Sequence, residues 1–267
     1  MFRLLTLLCF ALIALMPQLG DSAEQITYRG KSFWVYEVDP KTEKLEIFLG
    51  TEEGKPNTFP ALEQRIKSDG RRLKFAMNAG IFEGTFIPTG LHISEGKVIS
   101  PLNLKNFIKE REGQFTPNFF LKPNGVFFVR QDGTADIFES TRYANSDEKP
   151  RLATQSGPLL VAAGKIHPVL EPDSTSERSR NGAGISADGK VILVCSALAP
   201  NEPAGRSNLY RFAELFRDRL NCPNALYLDG AISNIYIRGK TASIRESNWF
   251  AGILAIAEPA NSEDTAP

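Results

Sequence analysis

The segment Leu226-Tyr227-Leu228-Asp229-Gly230-Ala231-Ile232-Ser233-Asn234 places one carboxylate at the end of an apolar run, next to glycine, with two polar side chains just beyond. A carboxyl delivered by a buried strand is partly desolvated, which displaces its pKa as a general acid or base requires. Asp-Gly is also an ordinary hairpin dipeptide, so the segment has a bland explanation as well. A second stretch, Met77-Asn78-Ala79-Gly80-Ile81-Phe82-Glu83, ends a short strand in an amide, a glycine and a carboxylate at a loop edge, where ligand-binding groups are commonly displayed. Taken alone, Asn78 and Gly80 read as turn residues.

Two further stretches depart from plain strand-and-turn writing. In Ala153-Thr154-Gln155-Ser156-Gly157-Pro158 a polar triplet precedes Gly-Pro and an apolar strand, a junction suited to an anion or a sugar hydroxyl. Ser156 lacks the Gly-x-Ser-x-Gly elbow of a nucleophile and reads as a binding or turn residue. In Glu177-Arg178-Ser179-Arg180-Asn181-Gly182-Ala183-Gly184 two arginines enter a strand of small residues that permits close approach to its backbone. Arginine is shaped for bidentate contact with phosphate or carboxylate, although Arg178 also reads as part of a solvated loop.

These residues need a scaffold, and the chain writes one in short strands. Phe33 to Val38 and Lys44 to Leu49 flank Asp39-Pro40 and are predicted to pair as a hairpin. Phe75 to Asn78, Leu91 to Ile93, Phe119 to Leu121, Gly125 to Val129, Ala183 to Ser186, Lys190 to Cys195, Ala225 to Leu228 and Ile253 to Ala257 are further predicted strands. Turns at Glu95-Gly96-Lys97, Pro123-Asn124-Gly125, Gln131-Asp132-Gly133 and Ala187-Asp188-Gly189 separate several of them. Helical spacing occurs twice: Phe59, Leu62 and Ile66 in Thr58 to Ser68, and Leu209, Phe212, Leu215, Phe216 and Leu220 in Asn208 to Leu220, with Ser207 as expected N-cap. Leu102 to Glu110 reads as a helix or an irregular insertion, and Tyr143 to Lys149 as a polar loop. The fold class expected is α+β: a single domain with a strongly twisted, mostly antiparallel or mixed sheet and two main helices.

The 267 residues carry 31 Lys+Arg against 31 Asp+Glu, and this neutrality argues against a nucleic-acid binder working by phosphate neutralisation. Arg3, the apolar run Leu4 to Met16, and then Pro17, Gly20 and Ser22 form a signal-peptide profile with a cut after Ser22, Ala23 being the neighbouring option. An uncleaved anchor is the alternative, but the run is short for about 30 Å of hydrocarbon. The expected localisation is therefore exported, periplasmic or extracellular, with no stable membrane span after cleavage. Cys9 falls in the signal; Cys195 and Cys222 either pair as a disulfide or stand as two buried thiols. With His92 and His167 alone, a histidine-rich metal centre is excluded.

Taken in order, Asn78-Ala79-Gly80, Pro88-x-Gly90-Leu91, Gln155-Ser156-Gly157-Pro158, Arg180-x-x-x-Gly184 and Leu228-Asp229-Gly230 resemble the phosphodiester glycosidase domain family, from about Phe75 to Ile256. The resemblance implies an exported hydrolase of a sugar 1-phosphodiester, acting on envelope or extracellular glycans. It implies Asp229 as a catalytic carboxyl, and because glycoside hydrolysis usually takes two, Glu83 is the expected second. Asn78, Gln155, Ser156, Gly157, Arg180 and Ser233 would bind substrate. No cofactor is required on this reading; a divalent cation at Asp229 is compatible with it but no acidic cluster demands one. The partner expected is a sugar phosphate or glycan, not a nucleic acid, and oligomeric state is open. The divisions expected are residues 1–22 as signal, 23–74 as strands and a helix packing on the core, 75–257 as the glycosidase-like domain, and 258–267 as a polar tail. Many relatives read Leu-Asp-Gly-Gly-Gly-Ser where this chain has Leu228-Asp229-Gly230-Ala231-Ile232-Ser233, so the larger Ile232 is expected to narrow or redirect the pocket. The competing function is a non-catalytic carbohydrate-binding or polysaccharide-assembly protein on the same fold.

Overall fold

The computed structural model describes residues 22–50, 57–84, 86–197, 205–241 and 248–260. The expected signal before Ser22 and the tail from Asn261 lie outside the described residues. Apolar side chains alternate along nearly every strand, but here both faces of the alternation are buried, and this decides the architecture: three antiparallel sheets around one core, each backed by its own outer layer.

The largest sheet has seven strands in the order Ala23–Tyr28, Lys31–Val38, Val191–Ser196, Asn181–Ile185, Asn224–Asp229, Leu159–Ala162 and Lys165–Ile166. A five-stranded sheet runs Ala135–Glu139, Gly125–Val129, Leu152–Ser156, His92–Ser94 and Lys97–Ser100. A four-stranded one runs Ile235–Ile237, Arg71–Ala79, Gly252–Pro259 and Leu45–Leu49. Phe82–Glu83 and Ile87–Pro88 form a small separate ribbon. Tyr36, Leu193 and Leu228 from the first sheet, Phe127 and Leu152 from the second, and Phe75, Met77 and Leu254 from the third all meet in the central core. Their strand neighbours point the other way. Val126 and Phe128 pack under Phe138 and Tyr143, and Ala76 and Ile253 pack under the helix Phe59–Ser68. The first sheet's Val194 and Tyr227 pack under the helix Leu209–Glu214 with its continuation Leu215–Arg219.

The two expected helices form, and their ends follow from capping chemistry. Thr58 caps the first by accepting from the Ala61 N–H at 3.2 Å, with Pro60 in the opening turn. The second is capped by Asn208, which accepts from the Arg211 N–H at 2.8 Å, and not by Ser207 as expected from sequence. Its last turn, Leu215–Arg219, is π-wound, with the Leu220 N–H donating to the Leu215 carbonyl. Glycine explains how closely this helix lies on the sheet. A Cβ at Gly184 would stand 2.7 Å from both Phe216 Cδ1 and Cys222 Sγ, so the small residues of Asn181–Ile185 admit aromatic rings.

Three local expectations are corrected. Lys31–Val38 and Leu45–Leu49 do not pair; the former joins Ala23–Tyr28 and Val191–Ser196, the latter Gly252–Pro259. Each is apolar on both faces and finds more burial between long-range partners than in a two-stranded ribbon. Phe119 to Leu121 is no strand but part of a short 3₁₀ turn, Asn118–Phe120, so Pro123-Asn124-Gly125 closes no hairpin. Leu102 to Glu110 takes the irregular alternative. Cys195 and Cys222 are both buried, free thiols. The strands that begin before residue 75 are integral to the seven-stranded and four-stranded sheets they enter, and the whole is one α+β domain.

Candidate active site

Asp229 ends the strand Asn224–Asp229 opposite Asn181, the first residue of Asn181–Ile185. The register slips there: Asn181 faces Asp229 while Gly182 faces Tyr227, leaving Leu228 without a counterpart. Such a slip re-aims the side chains beside it. Ser156 supports it, its hydroxyl donating to the Leu228 carbonyl at 3.0 Å. Beyond Asp229 the chain turns sharply, with the Ser233 N–H on the Gly230 carbonyl at 2.7 Å and the Ser233 hydroxyl on the Asp229 carbonyl at 3.2 Å. Asp229-Gly230 is therefore not a hairpin; it leads from the seven-stranded sheet into Ile235–Ile237 of the four-stranded one.

At that junction the two sheets exchange side-chain hydrogen bonds. Asn78 Nδ2, on Arg71–Ala79, donates to Asp229 Oδ2 at 2.9 Å. The orientation of the Asn78 amide is set by its other end, where Oδ1 accepts from Asn181 Nδ2 at 2.8 Å and from the Asn234 N–H at 2.9 Å. The other carboxylate oxygen accepts from the Gly230 N–H at 2.6 Å. Burial raises the Asp229 carboxyl to about 7, against the opposing pull of the Gly230 and Asn78 donors. It therefore exchanges a proton near neutrality.

Arg180 enters the same place from the start of the adjacent strand and is buried. Its guanidinium donates to the Ser207 carbonyl at 3.0 Å, the Ser176 carbonyl at 2.8 Å and Tyr227 Oη at 3.0 Å. All three acceptors are neutral, and Arg180 makes no ion pair among the described residues. Its positive charge thus remains available to an anion. Tyr227, pushed up to about 12 chiefly by burial, stays a neutral phenol. Gly230 is needed for this packing, because a Cβ there would collide with Tyr227 Oη.

Arg180, Tyr227, Asp229 and Gly230 line a cleft of about 870 Å³ that also takes in Asn118, Glu171 and Ser176. The structure brings Asn78, Arg180, Ser156 and Ser233 together around Asp229, the last two as backbone supports. It places Gln155 elsewhere: Oε1 accepts from the Leu91 and Asn103 N–H groups, while Nε2 donates to the Asn103 carbonyl and Ser140 Oγ. That amide is saturated in holding Leu91 and Asn103. Gly157 fits against Asn124 and the Phe119 backbone, where a Cβ would lie 2.6 Å from Asn124 Cβ. The side chain of Glu83 lies outside the described residues. Ile232 does not line the cleft; it packs with the cluster beneath Phe59–Ser68, contrary to the pocket-narrowing role expected of it. Arg178 is exposed at the rim.

Sequence reasoning missed Asn181, Tyr227, Asn234 and Glu171. Asn181 carried a signal, as the one amide in an otherwise Gly-Ala-Gly strand; Tyr227 sat in an apolar run and read as core. Among the described residues no group of three or more His, Cys, Asp or Glu side chains is placed to hold a metal ion. No described helix is long and apolar enough to cross a membrane.

Comparison with known proteins gives this arrangement a context. The family model described as phosphodiester glycosidase matches residues 71–253. The uncharacterized protein YigE of Escherichia coli (strain K12) is 34% identical over 233 residues, covering 86% of this chain and 85% of that protein. In fold, the chain is similar to the catalytic domain of zebrafish N-acetylglucosamine-1-phosphodiester alpha-N-acetylglucosaminidase auto-inhibited by its pro-peptide. The TM-score is 0.60 at 18% identity, over 88% of this chain and 81% of that one. A hypothetical protein from Synechocystis matches with a TM-score of 0.54 at 14% identity, over 88% of this chain and 61% of that one.

Proposed function

The chain belongs to the phosphodiester glycosidase family, and from that membership we propose that it is an exported hydrolase cleaving the glycosidic bond of a sugar 1-phosphodiester. One observation supports this most directly: a carboxyl that titrates near neutrality and an uncompensated guanidinium line one cleft. The substrate class needs both. Its phosphodiester is an anion for Arg180, and its anomeric carbon needs an activated water.

In the proposed reaction the Asp229 carboxylate takes a proton from water, the water oxygen bonds to the anomeric carbon, and the bond from that carbon to the phosphate oxygen breaks. The electron pair of that bond goes to the phosphate, so the products are the free sugar and a phosphomonoester. The leaving phosphate gains negative charge as the bond breaks, and Arg180 stabilises the transition state more than the ground state. A phosphate is a good leaving group, which reduces the need for a second carboxyl as acid; Asp229 is accordingly assigned the base. Asn78 fixes its orientation and favours its charged form.

The test is release of free sugar from a panel of sugar 1-phosphodiesters, N-acetylglucosamine first, by the protein and by Asp229→Asn. Release abolished in a folded variant is the expected result. No release from any member, with both proteins folded, would shift the assignment to a carbohydrate-binding protein on this fold.

A further inference from the structure

Half of the cleft does work that neither a phosphate nor a sugar requires. Its deep part is polar, with Arg180 and Tyr227 almost fully buried. Its outer wall is built from three separate segments that contribute Ile81 and Phe82, Phe115 and Phe119, and Val169 and Leu170. Phe115 is 75% exposed and Val169 53%, Ile81 and Phe82 are half-buried, and Phe119 and Leu170 are buried, so the outer edge of this wall stands bare to water. Bare apolar side chains scattered singly need no explanation, but these converge on one cavity beside an anion-binding residue.

We propose that the alcohol on the far side of the phosphodiester is apolar, so that the cleft takes a sugar 1-phosphodiester of a long-chain alcohol, its chain lying along Ile81, Phe82, Phe115, Val169 and Leu170. This rests on the hydrolase reading and names its substrate class. A second sugar placed against Ile81, Val169 and Leu170 would leave hydroxyls without partners, which costs free energy that a hydrocarbon does not incur. Methylenes covering the same wall gain roughly 0.8 kcal/mol each when fully buried. The phosphate has a deep partner in the buried Arg180, and the half-buried Asn118 and the exposed Ser176 offer polar groups to the sugar along the same cleft. The cleft's 870 Å³ lies in the upper part of the range of about 300–1,000 Å³ for small-molecule sites, which leaves room for both parts.

The chain could be that of a dissolved amphiphile or of a lipid held in a bilayer. The segment carrying Phe115 also bears Leu104, 45% exposed, and Ile108, 83% exposed, and it is anchored where Phe107 packs on Phe120 with ring centroids 5.7 Å apart. Exposed apolar side chains interleaved with Lys105, Lys109 and Arg111 suit a bilayer surface, which makes the second source worth its own arm of the test.

The experiment compares methyl and octyl diesters of one sugar 1-phosphate, both in solution, with the protein and with Phe115→Ser/Val169→Ser, whose two side chains are exposed enough to change without loss of fold. The octyl diester is expected to show a kcat/KM about tenfold or more above the methyl one, and the double variant to lose most of that ratio. Equal kcat/KM for two cleaved diesters would overturn the inference and leave the hydrolase reading standing. If neither is cleaved, the hydrolase reading fails, and binding of octyl phosphate against methyl phosphate by Asp229→Asn decides the inference. Tighter octyl binding that the rim substitutions abolish supports an apolar subsite, whereas equal binding overturns it. A hexadecyl diester embedded in phosphatidylcholine vesicles separates the sources: turnover that falls in Ile108→Asn identifies a bilayer lipid, and turnover below that of the dissolved octyl diester identifies a soluble amphiphile.

Discussion

Asn78 and Asp229, 151 residues apart in sequence and on strands of different sheets, are joined by a 2.9 Å hydrogen bond from amide to carboxylate. Asn181 and the Asn234 N–H occupy the other end of the amide, so its NH₂ group can face only the carboxylate. The junction of two sheets thereby fixes the position of the carboxyl and supplies a donor that offsets part of the rise burial causes.

This arrangement sets the pH dependence. With Asp229 as base, kcat/KM rises with pH and levels off above about 7, because only the ionised form accepts the proton. Asn78→Ala removes a donor that favours the charged form, so the ascending limb moves to higher pH, by about one unit at roughly 1.5 kcal/mol for a hydrogen bond to a charged group. Initial rates of sugar release across pH 5 to 9, with melting curves to confirm folding, measure this. A profile that descends through neutrality would make Asp229 the acid instead.

Much of this was legible in the sequence. Asp229, Asn78 and Arg180 each stand at a strand end beside small residues, where the chain type changes abruptly. Gln155 was written in the same manner, yet its amide holds Leu91 and Asn103, because local pattern does not say which backbone groups a side chain will meet after folding. Asn181 and Tyr227 were hidden for a different reason. Their roles arise from the strand register, which makes Asn181 the neighbour of Asp229 and brings Tyr227 Oη to Arg180. The false hairpin between Lys31–Val38 and Leu45–Leu49 has the same origin, since adjacency favours pairing only until doubly buried long-range partners compete.

Stability should carry the same carboxyl's signature. The Asp229 pKa is raised on folding, so between about pH 4 and 7 the folded state keeps a proton that the unfolded chain has lost. Folding stability from this group therefore falls as pH rises through that window and is flat above it. Asp229→Asn cannot titrate, so its Tm minus that of the parent should grow between pH 4 and 7 and then level. Parallel curves across that range would show that the carboxyl is not raised.

The thiols should be silent until the protein opens. Cys195 and Cys222 are free and buried, and burial pushes Cys222 up to about 12 and Cys195 also upward, so little thiolate exists at neutral pH. In the protein lacking residues 1–22, a colourimetric thiol reagent should find almost no reaction in buffer and two thiols per chain in denaturant. Prompt reaction of either in buffer would contradict its burial, and reaction of Cys222 its packing against Gly184.

That packing leaves no room for a side chain at Gly184. A side chain there meets Phe216 Cδ1 at 2.7 Å and Cys222 at 2.7 and 3.0 Å, all in a fully buried layer between helix and sheet. The helix is held against the sheet by Phe212, Leu215 and Phe216, so it cannot lift locally without exposing them. Gly184→Val should therefore cost about 3 kcal/mol or more, at or beyond the top of the usual range of about 1–3 kcal/mol for overpacking a dense core. Gly189→Ala is the control in the turn that joins Asn181–Ile185 to Val191–Ser196: no atom crowds its Cβ position, and the cost there comes from a φ of +84° alone. Denaturant unfolding of both should rank Gly184→Val as the more damaging, and the reverse order would mean that the helix yields freely at this contact.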